Sequence, residues 1–152
     1  MSEKTLIIGV GNLYRGDDAA GLMVSRSIQG KLDADIIEHD GEVTSLMDVM
    51  RGRKSVIIID AVCSGANVGE ILEYDLNKIS LPDIFAKSST HSFGISEAVE
   101  LIKVIDVLPE KLIFYGVEGK YFDEGQGVCN EVNDSVTVLA EKIIKDLEKI
   151  NA

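Results

Sequence analysis

The sequence predicts an α/β fold: three layers, a five-stranded and mostly parallel twisted sheet with helices on both faces. Three observations predict it. Short β-branched apolar runs alternate with stretches of helical periodicity, one run is apolar throughout until a terminal acid, and Gly/Asp-rich loops follow the strand ends. The first strand is TLIIGV, residues 5–10, and a Gly/Asp-rich loop leads from it to a helical pattern over 19–32. ADIIEH (34–39) is the second strand, and DGE leads on to Thr44, the expected N-cap of the helix SLMDVMRG. SVIIID (55–60) reads as a central strand buried on both faces. GEILEYDL (69–76) alternates apolar with acidic side chains, as an edge strand with one wet face does. Beyond a polar loop containing Pro82, Ile95, Ala98, Val99, Ile102 and Ile105 mark a helix over 93–105, and KLIFYGV (111–117) is the fifth strand. Val132, Val136, Leu139, Ala140, Ile143, Ile144 and Leu147 give one face of a long last helix, with Lys142, Lys145 and Lys149 toward its negative end.

At 152 residues the chain fills one core, so residues 1–152 are read as a single domain. Its net charge of −11 repels phosphate backbones and anionic bilayers, and RGRK at 51–54 is the longest basic run. Neither a nucleic-acid partner nor membrane insertion is expected. MSEKTLIIGV does not read as a signal peptide, and Cys63 and Cys129, far apart in sequence, suit free thiols in a reducing cytoplasm. With no apolar stripe left over once the core faces are filled, a monomer is expected.

Parallel sheets of this kind bind ligands at the carboxyl ends of their strands, near the reversal of strand order. The loop after the first strand begins G-x-G at Gly9 and Gly11, but Tyr14 stands where a dinucleotide fingerprint needs its third glycine. Glu38 and Asp40 could still supply the acid that holds a ribose, which keeps a nucleotide-binding module as one alternative. The same loop carries Asp17 and Asp18 before an Ala-Ala-Gly helix start. One carboxylate is expected to favour the helix N-terminus, the reading preferred for Asp17, and the other to project into the cleft. Asp60 ends an apolar run, where a carboxylate is costly unless a cation or hydrogen bonds compensate it. His91, one of two histidines, sits in SSTHSF before a helix. Two carboxylates and an imidazole make a three-ligand set with open positions, suited to nickel, zinc, iron or manganese. His39 is not expected to be a ligand, because alternation aims it and Asp40 to opposite faces. Cys63 is a weaker candidate, a nucleophile that His91 would have to activate.

GVGNLYRGDDAAG, IIIDAVCSG, STHSFGISEAVEL and GVEGKYFDEGQGVCNEV together resemble the hydrogenase maturation protease family, in the same order along nearly the whole chain. The resemblance implies a five-stranded α/β sheet and an endopeptidase that removes the C-terminal extension of a nickel–iron hydrogenase large-subunit precursor. It implies metal contacts through Asp18, Asp60 and His91, to nickel supplied by the precursor itself, with other divalent cations able to occupy the site. Asp40 would position the substrate or assist as base. A non-catalytic protein that senses nickel and holds the precursor would use the same ligands. The chain departs from the family pattern where Glu42 and Val43 interrupt an Asp-Gly-Gly-Thr run. It departs again at Gly119 and Lys120, in place of Pro-Glu, and at Cys129, in place of a small residue.

Overall fold

The computed structural model describes residues 4–81 and 90–151, with backbone alone at 90–93, 150 and 151. Among these residues the order is β1 (Leu6–Val10), α1 (Ala20–Ile28), β2 (Asp35–His39), α2 (Val43–Met50), β3 (Ser55–Val62), β4 (Ile71–Asp75), α3 (Thr90–Val104), β5 (Lys111–Glu118) and α4 (Asn130–Asn151). The five strands lie in the order β2-β1-β3-β5-β4, all parallel except β4, which runs antiparallel to β5 at the edge.

Alternation along each strand divides the core in two. Leu6, Ile8 and Val10 of β1 and Val56, Ile58 and Val62 of β3 meet Leu46 and Met50 of α2 and Ile95, Ala98, Val99 and Ile102 of α3. Ile7, Ile57, Ile59 and Ala61 face the other way, onto Ala20, Val24 and Ile28 of α1 and the Val132, Val136, Leu139, Ile143 row of α4. Each large aliphatic side chain removed from water contributes about 1.5–3 kcal/mol, and a one-residue slip would turn every such residue of a strand onto the wrong layer. The register is therefore fixed on both faces. Gly21 is the closest fit between layers: a methyl group on it would run into the carbonyls of Val10 and Ile59, so α1 rests directly on the adjoining ends of β1 and β3.

Several boundaries differ from the sequence expectation. A 3-10 turn, Gly16–Ala19, precedes α1, and the helix stops at Ile28, before Gly30 turns the backbone at φ 75°. Helix α2 is capped by Glu42, whose carboxylate accepts from the amides of Thr44 and Ser45 at 3.0 and 2.7 Å, and not by Thr44. β3 continues two residues past Asp60 because Ala61 and Val62 still pair with Val117 and Glu118. Helix α3 starts at Thr90, so it includes His91 in its first turn.

Candidate functional site

Strand order reverses between β1, which leads to β2 on one side, and β3 on the other, so the crevice lies beyond the carboxyl ends of this pair. The first loop crosses it. Gly11 is needed there because a side chain at that position would strike the carbonyl of Asp18, and the Asn12 amide donates to the same oxygen at 3.3 Å. The 3-10 turn that carries Asp18 packs against β3, and Asp18 is 4% exposed.

Asp60 is fully buried within β3. It shares the parity of Ile58 and Val62, which puts its side chain on the layer covered by α2 and α3. The beginning of α3 arrives on this same layer: a methyl group on Gly94 would collide with the carbonyl of Gly41, in the turn after β2. His91 is one helical turn before that contact, and its side chain lies outside the described residues. The structure thus brings the elements bearing Asp18 and Asp60 together and draws the backbone of the His91 turn toward the loop after β2.

Asp17 does not cap α1, since no side chain hydrogen-bonds at the start of the 3-10 turn or of the helix. It is fully buried and takes the amides of Lys120 (2.7 Å), Tyr121 (3.0 Å) and Cys129 (2.8 Å), with the Cys129 thiol at 3.3 Å. Burial pushes its pKa up, but the amides of Tyr121, Cys129 and Lys120 outweigh this and hold it below the ordinary carboxylate range. The Asp17 amide in turn donates to the Tyr121 carbonyl at 2.7 Å. Loop 119–129 is thereby tied to the first loop. Burial raises the Cys129 thiol, as does the neighbouring Asp17 carboxylate.

Glu118 is a further buried acid, one that sequence reasoning passed over. It ends β5 and accepts from the amide and hydroxyl of Ser64, so it fixes the loop that follows β3. An acid closing an apolar strand was the signal used for Asp60, and KLIFYGVE carries the same one.

Beside the crevice a cleft of about 390 Å3 is lined by Gly11, Leu22, Glu38, His39, Asp40 and Ser45. Asp40 is exposed there, its Oδ1 accepting from the Glu42 amide at 3.0 Å. His39 is held at both nitrogens: Nδ1 accepts from the Gly41 amide at 2.9 Å, so Nε2 carries the proton, 2.9 Å from Ser45 Oγ. Glu38 is engaged in a two-pronged ion pair with Arg26. With Glu38 so committed and Gly11 packed on Asp18, the features that suggested a nucleotide serve the local fold instead. Cys63 is an exposed free thiol just past β3.

Asp18 and Asp60 are oxygen donors of the kind that divalent cations accept, and their burial favours a bound positive charge. Among the described residues no group of three His, Cys, Asp or Glu side chains is placed to hold a metal. The expected third ligand, His91, has its side chain outside that set.

A family model described as hydrogenase maturation protease matches residues 26–146. No curated protein sequence matches the chain. Among solved structures, the [NiFe] hydrogenase maturation protease HybD from Thermococcus kodakarensis is 25% identical with a TM-score of 0.70, covering 97% of this chain and 98% of its own. The hydrogenase maturating endopeptidase HybD from E. coli superposes with a TM-score of 0.83 at 22% identity, over 96% of this chain and 93% of its own. The maturation protease HycI from Thermococcus kodakarensis KOD1 gives a TM-score of 0.70 at 21% identity, over 96% and 93%.

Proposed function

The chain belongs to the hydrogenase maturation protease family, and from that premise we propose that Asp18, Asp60 and His91 contact nickel carried by a nickel–iron hydrogenase large-subunit precursor while its C-terminal extension is removed. The activity is that of a peptidase of the hydrogenase maturation type. The observation that best supports the proposed site is the pair of buried carboxylates, Asp18 and Asp60, on two elements packed together where strand order reverses.

Nickel held there supplies a Lewis acid that polarises the scissile carbonyl or lowers the pKa of a water. The chain's own residues do the rest. Asp18 and Asp60 offer anionic oxygens, and as a set of few ligands they leave coordination positions to the precursor. Asp40, on the cleft wall, positions the substrate or assists as base. Because the metal arrives with the substrate, a precursor that lacks nickel presents an incomplete site and is left uncut. Other divalent cations can occupy the same donors. Two free cysteines fit a reducing cytoplasm as the working compartment, and no helix among the described residues is long and apolar enough to cross a membrane.

Intact-mass analysis of the precursor, incubated with the protein with and without nickel loaded, tests this reading. Loss of one C-terminal peptide from the nickel-loaded form alone is expected. Asp60→Asn should slow that cleavage by about 100-fold or more, the scale of losing a metal-held catalytic group. Full-rate processing by Asp60→Asn would refute the metal assignment while leaving the peptidase activity standing.

A further inference from the structure

The two loops that border the crevice expose apolar surface. Tyr14 is 78% exposed, Leu13 39% and Tyr121 40%. Their backbones are nonetheless pinned. The Tyr14 amide donates to Asn12 Oδ1 at 2.9 Å, and its carbonyl accepts from the Gly125 amide at 3.0 Å. Tyr121 is held at both its amide and its carbonyl by Asp17. A side chain at Gly16 would strike the Tyr121 carbonyl, so the two loops touch directly. Lys120 Nζ stands 5.1 Å from the Tyr121 ring centre.

Rigid aromatics on a pinned backbone lose little freedom when a partner covers them, which is what a docking surface requires. This surface adjoins the loop that crosses the crevice: Tyr14 lies four residues before Asp18 on that loop, and the Tyr121 backbone amide donates to the Asp17 carboxylate. We propose that Leu13, Tyr14 and Tyr121 form one docking platform for the precursor, taking apolar side chains of the polypeptide that flanks the scissile bond. The proposal rests on the peptidase reading above. A second copy of this chain is a poorer occupant. It would cover the entrance to the crevice, and two molecules of charge −11 repel each other.

The platform acts on binding and not on the chemical step. In steady-state cleavage of the nickel-loaded precursor, the double variant Tyr14→Ala/Tyr121→Ala should raise KM by about 30-fold, the scale of losing an interface anchor, with kcat within about twofold. Tyr14→Phe/Tyr121→Phe should restore KM, since the ring face and not the hydroxyl makes the contact. Val138→Ser, exposed on α4, is the surface control and should leave KM unchanged. Far-UV circular dichroism monitors the fold, and Tyr14→Ala alone, at the more exposed position, keeps the test decisive if the double variant unfolds. Wild-type KM in the alanine variants, or a fall in kcat at constant KM, overturns the platform and leaves the peptidase intact. A wild-type protein that leaves the precursor whole overturns the peptidase reading and this proposal with it.

Discussion

At the scale of single residues, the imidazole of His39 is governed by its two hydrogen bonds and its burial. Burial lowers its pKa below the ordinary 6.5, against the opposing pull of Asp40 and Glu42. As pH falls through about 6.5 the unfolded chain takes up a proton that the folded one refuses. His39 therefore leaves stability undiminished above about pH 6.5, lowers it as pH falls further, and has no added effect once the folded-state pKa is passed. The midpoint of urea unfolding should drop more for wild type than for His39→Gln between pH 7.5 and pH 5.5, and equal drops would refute the linkage. The sequence reading set His39 aside as a ligand through strand alternation alone. What it could not see is that the Gly41 amide and Ser45, brought round by the turn into α2, occupy both ring nitrogens.

Among the elements, the end of α3 shows a strained cap. The Val107 amide reaches the Ile102 carbonyl and the Asp106 amide the Lys103 carbonyl, both at 3.2 Å, with Asp106 at φ 58°. This is a Schellman motif, and the left-handed position that glycine usually fills holds an aspartate, the one non-glycine residue at positive φ among those described. Its Cβ strains the backbone and its charge meets the negative end of the helix. Asp106→Gly should stabilise the protein by about 1 kcal/mol, read as a rise in thermal midpoint, and a fall would show that the aspartate side chain makes a stronger contact than the strain it causes. Element positions were largely legible, because 2- and 3.6-residue periodicities mark which face is buried. Their ends were less so. Thr44 looked like the cap of α2 from its hydroxyl, yet the longer Glu42 side chain reaches two amides at once. The two residues of β3 beyond Asp60 depend on pairing with β5, more than fifty positions away.

In the whole molecule, the site depends on contacts that no local pattern encodes. Asp18 and Asp60 could be singled out because acids beside apolar runs stand out in the sequence, and the α/β alternation indicated that such loops share one end of the sheet. The partners of Asp17 could not, since they lie 103, 104 and 112 residues further along the chain. Local reading assigned Asp17 to a helix terminus, whereas the parallel pairing of β3 with β5 delivers loop 119–129 to it. Asp17→Ala removes the acceptor for three backbone amides at the junction of the two loops. With hydrogen bonds to a charged group worth about 1.5–3 kcal/mol each, and water able to reach part of this junction, a net loss of about 3 kcal/mol is expected from chemical denaturation. Hydrogen exchange gives the sharper readout. Amide protection at Lys120, Tyr121 and Cys129 should collapse in this variant while the β1 and β3 amides keep theirs, because the sheet core does not rest on Asp17. Retained protection at all three would mean that loop 119–129 is held by its own contacts, and that the two halves of the docking platform are positioned independently of one another.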